Sequence, residues 1–273
     1  NITTSGTQSY TGAVTLGADV TLASTGNAST GNDISFSSTI NGAKAFTVNA
    51  GVGAITFNST IGATNNLTSL SLTTSHATGI TLSGNVTTTG SQKYNGATTL
   101  ATTPITLTTT GSDVSFGGTL NGNAASRALT IAAGAGNVTF TGAVGGGTAL
   151  GAVAITAATT TNSSTWVGSS TLGITGNAVI NGAISGITSL SISGTTSLGA
   201  NVTTTAVGGQ TYSGAVTITG SAVTLDSTSG NGPVLFSSTV NSAATGDNSA
   251  SATKPLTITT GSGNVTFTGV VGG

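Results

Sequence analysis

Apolar and polar residues alternate along the chain in short runs. AVTL at 13–16, DVTL at 19–22 and AFTV at 45–48 place Val, Leu or Phe on every second position with Thr between them. Gly or Asn interrupts these runs every six to ten residues. A period of two with frequent breakers predicts short β-strands. No stretch combines helical spacing with helix caps, and Glu does not occur. The pattern therefore predicts an all-β protein.

The strands belong to three long repeats. Their openings are NITTSGTQSYTGAVTL, NVTTTGSQKYNGATTL and NVTTTAVGGQTYSGAVTI, and each is followed by a Phe segment and then by a GxGxxTF segment. The repeats cover 1–84, 85–200 and 201–273, the last of them truncated. Tyr94 and Tyr212 lie farther apart in the sequence than Tyr10 and Tyr94 do. The second repeat therefore carries about 34 additional residues, which we place near 148–185.

A shorter unit of about 20–25 residues recurs inside each long repeat. A β-sandwich or a closed barrel does not require such consecutive units, whereas a solenoid does, because each turn lays its apolar side chains over those of the turn below. We predict a single right-handed parallel β-helix over 1–273, forming an interior segment of a longer array. Its buried stacking residues are expected to be Phe36, Phe57, Phe116, Phe140, Phe236 and Phe267.

Two further sets of aromatic residues have expected positions. Tyr10, Tyr94 and Tyr212 share one repeat position, in QSYTG, QKYNG and QTYSG, and the pattern favours a structural role at a corner of the turn. Trp166 is the only Trp and falls near the additional residues of the second repeat. Insertions in repeat arrays form loops on one face, so Trp166 is the candidate contact residue for a partner.

Composition limits the classes of partner. Charged residues make up 3% of the chain, the formal net charge is −1, and there are four cations. No basic surface can form to neutralise phosphates, so we expect no nucleic-acid partner. No apolar run approaches the roughly 18 residues of a membrane span, so we expect no transmembrane segment. The sequence contains no Cys, which excludes disulfides and thiolate metal ligands.

Few residues of the chain could support catalysis or bind a cofactor. Asp33 and Asp113 occupy the same repeat position about four turns apart, on the order of 20 Å, and Asp226 and Asp247 could approach each other across a corner. His76 has no second ligand nearby. The GxG segments lack the third Gly and the following helix of a dinucleotide loop. We therefore predict no enzymatic activity, no cofactor and no metal.

Outward Thr and Ser rows leave two classes of function open. A weakly charged hydroxyl surface suits packing against other fibres or glycans, and flat Thr arrays also occur on ice-binding solenoids. The TxT pairs of this chain, such as Thr106 and Thr108, do not recur on every turn. A structural rod is the leading interpretation, and a carbohydrate- or ice-surface-binding module is the alternative.

The repeat phrases QTYSGAVTI, ISFSSTING and GNVTFTGAVGG resemble those of very large repetitive bacterial surface exoproteins, the filamentous-haemagglutinin-like adhesins of two-partner secretion. The resemblance covers essentially the whole chain and is one of repeat style. It implies an extracellular or cell-surface β-helical shaft that serves adhesion, aggregation or biofilm matrix. Its implied partners are continuing chain or copies of itself end to end, with glycans or other surface fibres.

Overall fold

A computed structural model describes residues 1–24, 32–243 and 254–272, and within these ranges the chain forms thirty β-strands and one short 3-10 helix. The strands lie parallel to one another in three stacks, so that each turn of the chain contributes one segment to each stack. The predicted parallel β-solenoid is therefore confirmed.

Each stack is defined by its strands. Stack 1 contains β1 Ile2–Thr4, β4 Val20–Ser24, β7 Ala45–Gly51, β9 Ser69–Thr74, β12 Gln92–Asn95, β15 Val114–Phe116, β18 Val138–Phe140, β23 Thr196–Leu198, β25 Val216–Ile218 and β28 Val240–Ser242. Stack 2 contains β2 Gln8–Tyr10, β5 Ile34–Phe36, β8 Ile55–Phe57, β10 Ile80–Leu82, β13 Thr98–Leu100, β16 Leu120–Gly122, β20 Trp166–Val167, β26 Val223–Asp226 and β29 Leu256–Thr259. Stack 3 contains β3 Val14–Thr15, β6 Ile40–Asn41, β11 Val86–Thr87, β14 Ile105–Thr108, β17 Arg127–Ala132, β27 Val234–Phe236 and β30 Val265–Phe267.

Four long strands run round a corner and belong to two stacks. These are β19 Leu150–Asn162 and β21 Thr171–Ile180, which pass from stack 3 to stack 1, and β22 Ile184–Ile192 and β24 Val202–Tyr212, which pass from stack 2 to stack 3. The 3-10 helix, Thr228–Gly230, occupies the following corner of the same kind.

The length of one turn varies along the rod. Ile2 pairs with Leu22 and Leu22 pairs with Val48, so the second of these turns is the longer. Asn162 pairs with Ile180, which makes this turn shorter than either. From the first to the last of its twelve successive strands, stack 1 spans eleven complete turns, and a twelfth turn begins at the last strand. We number each turn by its strand in stack 1, so that turn 8 begins with the second half of β19.

Aromatic rings stack between turns in the interior. Tyr94, Phe116 and Phe140 follow one another with ring centroids 4.9 and 5.3 Å apart and nearly parallel planes. Five of the six Phe side chains predicted to be buried are at most 1% exposed. Phe267 is the exception: it stacks on Phe236 at 4.9 Å but is 41% exposed, because β30 is the last strand of stack 3 and no further described turn covers it.

The long repeats change stack from one to the next. Tyr10 lies in stack 2, Tyr94 in stack 1 and Tyr212 in stack 3, each followed by two Phe residues on the next two turns of the same stack. Tyr94 lies eleven strand positions after Tyr10, and Tyr212 lies seventeen after Tyr94. The difference of six positions is two whole turns. The additional residues of the second repeat are therefore stacked turns, and the loop expected there is not formed.

Corner residues hold consecutive turns together. The backbone N–H of Asn137 donates to Oδ1 of Asp113 at 2.8 Å, and that of Thr106 donates to Oδ1 of Asn85 at 2.8 Å. The same contact between turns is made at further corners and at some strand positions, with the acceptors Asn1, Asp19, Asp33, Asn41, Asn121, Asn177, Asn201 and Asn231. Asp and Asn are interchangeable in this role because it uses only a side-chain oxygen.

Candidate functional site: buried Gln–Tyr pairs and a hydroxyl face

A Gln and a Tyr form a hydrogen-bonded pair in each long repeat. The Tyr94 hydroxyl donates to Oε1 of Gln92 at 2.8 Å, and the Tyr212 hydroxyl donates to Oε1 of Gln210 at 2.9 Å. Because side chains two apart on a strand point to the same side, Q-x-Y directs both side chains inward. All four side chains of these two pairs are fully buried.

The amide of each Gln is used as well. Nε2 of Gln92 donates to the backbone oxygen of Thr108 at 2.8 Å, and Nε2 of Gln210 donates to that of Val202 at 3.1 Å. Burial raises the pKa of both Tyr94 and Tyr212 above its ordinary value. The phenols therefore stay protonated and keep donating, which makes the pairs structural elements of the core.

The predicted corner position of the Tyr residues is corrected by the structure. Tyr94 lies within β12 and Tyr212 is the last residue of β24, and each ring stacks against the Phe of the next turn. Both side chains point into the core, where the buried Gln accepts the hydrogen bond that each hydroxyl needs to make. Tyr10 makes the same bond to Gln8 at 2.8 Å but remains partly exposed, because β2 is the first strand of stack 2.

The predicted loop position of Trp166 is also wrong. Trp166 is 2% exposed and lies in stack 2, where it pairs with Val144 below and Ile184 above. Its ring meets that of Phe140 edge to face, with centroids 5.0 Å apart. It therefore closes an aromatic stack in the core and offers no contact surface.

The acidic residues do not form a pair for acid–base catalysis in the described part of the chain. Asp33 precedes β5 of stack 2 and Asp113 precedes β15 of stack 1, so the change of stack between repeats places them at different corners. Each accepts a corner N–H. Asp226 accepts from the hydroxyl and the N–H of Thr228, which lowers the pKa of its carboxyl. The predicted approach of Asp247 lies outside the described residues.

The GxG segments form tight corners. Gly134 has φ +59°, a left-handed conformation that favours glycine. Gly136 packs directly on the preceding turn, where a Cβ atom would overlap the carbonyl of Ser112. Gly51 and Gly53, and Gly261 and Gly263, repeat this arrangement at other corners. A strand follows each corner, so the geometry supplies no helix N-terminus for a phosphate group.

His76 lies in a short corner between β9 and β10. Its Nδ1 accepts from the backbone N–H of Thr78 at 3.1 Å and contacts the Thr78 hydroxyl at 2.7 Å. Across residues 1–24, 32–243 and 254–272 there is no cluster of three metal-ligating side chains and no pocket. The described residues also include no helix long and apolar enough to cross a membrane.

One outward surface of the rod is an unbroken row of small polar side chains. On β2, β5, β8, β10, β13 and β16 of stack 2 the register aligns the outward residues on six successive turns. We call this row the hydroxyl face; its members are Ser9, Ser35, Thr56, Thr81, Thr99 and Asn121. The corresponding row of stack 1 is interrupted by Lys93 and Val179.

Chemically, these arrangements offer a hydrogen-bonding surface, buried Gln–Tyr pairs whose hydrogen bonds are made within the core, and corner carboxylates that accept backbone N–H groups. No protein-family model matches the chain, and no curated protein or solved structure shows significant similarity to it.

Proposed function

We propose that the chain is a structural rod, a segment of an extracellular bacterial filament or adhesin stalk that supports adhesion, aggregation or biofilm matrix without catalysis. The observation that carries the proposal is the continuous strand pairing of stack 1, in which every turn pairs with the next from Ile2 to Ser242. A spacing of about 4.8 Å between paired strands makes eleven turns roughly 53 Å long.

Backbone hydrogen bonds run along the axis of the rod. Gly117 donates to Tyr94, Thr141 to Phe116 and Ser163 to Phe140, each between backbone N and O at 2.9 Å. Pulling the ends apart would load these bonds and the dry apolar interior together. A structure of this kind suits a load-bearing or spacing role.

The surface suits packing against neutral partners. With 3% charged residues, the rod has little electrostatic repulsion toward copies of itself or toward glycans. The resemblance in repeat style to filamentous-haemagglutinin-like adhesins supports a location outside the cell and end-to-end continuation of the solenoid. Partners on this proposal are continuing chain or further copies along the axis and fibres or glycans beside it.

Two measurements test the rod. The native polypeptide is released from cell surfaces by shearing, its mass is determined under denaturing conditions, and the material is imaged by electron microscopy. Surface filaments about as thin as one solenoid are expected, with a mass several-fold above 25.7 kDa for one long chain or close to 25.7 kDa for stacked subunits. Recovery of the polypeptide only from the cytoplasm, as compact particles, would overturn the proposal.

The hydroxyl face supports a second candidate, a module that binds carbohydrate or ice. Its six aligned residues give regularly spaced hydroxyl and amide groups over six turns. Thr56→Lys with Thr81→Lys should abolish binding to a glycan array, or thermal hysteresis, if this face binds. Thr139→Lys with Thr161→Lys, on the outward row of stack 1, is the matched control. Equal activity of both variants would exclude the hydroxyl face.

A further inference from the structure

Turns 8 to 10 carry an unusual set of buried polar atoms. Thr160 Oγ1, Asn162 Oδ1, Thr196 Oγ1 and Thr204 Oγ1 are buried without a hydrogen-bond partner in the protein, and no other side-chain atom of the described residues shares this condition. Buried polar groups normally have partners, and a missing one weakens the folded state. All four atoms fall within residues 160–204, which we call the central segment.

At one inward position of stack 1 the central segment carries smaller or more polar side chains than the neighbouring turns. In stack 1, Thr160 pairs with Ala178 and Ala178 pairs with Thr196, where turn 7 has Val138 and turn 11 has Val216.

An amide replaces an aromatic ring in the same stack. Asn162 occupies the position that Phe116 and Phe140 hold on the two turns below. Its Nδ2 donates to the backbone oxygen of Gly182 at 2.9 Å, which leaves only the carbonyl end unpaired. The interior is therefore more polar here than in the turns below.

Aromatic stacking stops at the same place. Phe140 and Trp166 end one aromatic series, and Tyr212 begins the next, with no Phe, Tyr or Trp between residues 166 and 212. Turns 8 and 9, which end where Ile180 and Leu198 add to stack 1, contain the fewest residues of any turn in that stack. Fewer residues per turn, and the smaller or polar inward side chains of stack 1, reduce the apolar surface that this stack buries in each turn and therefore weaken its stacking.

We propose that the central segment is a yielding element, the part of the solenoid that opens first and lengthens when the rod is loaded. That the solenoid carries a load rests on the proposed function as a rod. That the central segment has low local stability is argued from its buried residues and does not depend on that function. Opening is confined because stacked aromatic rings join the turns on either side of the central segment: Tyr94, Phe116 and Phe140 before it, and Tyr212, Phe236 and Phe267 after it. A solenoid can open locally, since each turn contacts only its neighbours.

Hydrogen exchange with mass spectrometry on the 273-residue chain tests the proposal. Backbone amides of 171–192 should exchange at least tenfold faster than those of 114–140 under native conditions. Thr160→Val with Thr196→Val removes two unpaired hydroxyls at nearly constant shape and should slow exchange in 171–192 by roughly tenfold. Thr161→Val, the outward neighbour on the same strand, is the matched control and should leave it unchanged.

A deletion variant keeps the test decisive if the double variant does not fold. Removal of 160–195 deletes two whole turns and places Thr196 in register above Val138. The shortened rod should show uniform slow exchange. Three results would overturn the yielding element without touching the rod function: uniform exchange in the parent chain, fast exchange in 171–192 that the double variant does not slow, or a region of fast exchange that persists in the shortened rod. Conversely, a chain that forms no surface filaments would overturn the rod and leave the exchange result standing.

Discussion

Gln92 and Tyr94 lie two residues apart on one strand, both fully buried and joined by a 2.8 Å hydrogen bond from the phenol to the amide oxygen. The two polar groups of this pair therefore lie in the apolar column of the rod and are hydrogen-bonded to each other there. The pair recurs in the third long repeat, as Gln210 and Tyr212, in a different stack. The pair determines which face of the strand points inward, because turning the other face of the strand to the core would bury Lys93 instead.

Tyr94→Phe should destabilise the solenoid, because it leaves the buried oxygen of Gln92 without a donor. The expected loss in free energy of unfolding is about 1–3 kcal/mol, measured by chemical denaturation. Tyr10→Phe is the matched control. Its pair is partly exposed, so water can replace the lost donor and the loss should stay below about 1 kcal/mol.

A double variant separates the hydrogen bond from simple loss of packing. Gln92→Leu with Tyr94→Phe removes donor and acceptor together and should cost less than the two single variants added. Additive costs would show that the two residues act independently and would contradict the pairing.

Much of the fold follows from the sequence, and the Tyr position shows where such reasoning stops. Alternation in QKYNG places Lys93 outward and therefore Gln92 and Tyr94 inward, so the signal for a buried pair exists. The nearby Asn95 and Gly96 favour a corner, and for this reason the sequence wrongly predicts a corner position for Tyr94. The position of Trp166 cannot be predicted because the repeat alone does not give the number of strands per turn. Once the structure shows three strands per turn, the six extra strand positions of the second repeat are seen to be two whole turns.

High pH should unfold the rod through its buried phenols. Burial raises the pKa of Tyr94 and Tyr212 above the unfolded value near 10. Below pH 10 both states keep the protons, and stability does not depend on these groups. Above pH 10 the unfolded chain releases them while the folded chain does not, so the free energy of unfolding falls by up to about 1.4 kcal/mol per pH unit for each Tyr.

Denaturation curves between pH 8 and 12 measure this loss. Tyr94→Phe with Tyr212→Phe should flatten the decline above pH 10, whereas Tyr10→Phe should change it less. Absorbance of phenolate should rise with unfolding for the two buried residues. Ionisation of Tyr94 and Tyr212 in the folded rod near pH 10 would contradict their burial.

The corner glycines predict a sharp difference between two Gly→Ala variants. Gly136→Ala would drive a methyl group into the carbonyl of Ser112 on the turn below, so we expect a loss of about 3 kcal/mol or more, or failure to fold. Gly173→Ala, on β21, meets no atom within 4 Å and should be neutral or stabilising by about 0.5 kcal/mol. Thermal melts of the two variants measure the difference, and equal melting temperatures would contradict the close packing of turns at this corner.

The corner acids give the last prediction, which separates a backbone acceptor from a catalytic carboxylate. Asp113 accepts the N–H of Asn137 through one oxygen, as Asn85 and Asn201 do for Thr106 and Thr224. Asp113→Asn keeps that oxygen and should change the free energy of unfolding by less than about 0.5 kcal/mol, whereas Asp113→Ala should cost about 1 kcal/mol. Denaturation of the two variants decides. A large loss in Asp113→Asn would mean that the negative charge itself matters, and the corner would then need a partner that the acceptor role does not require.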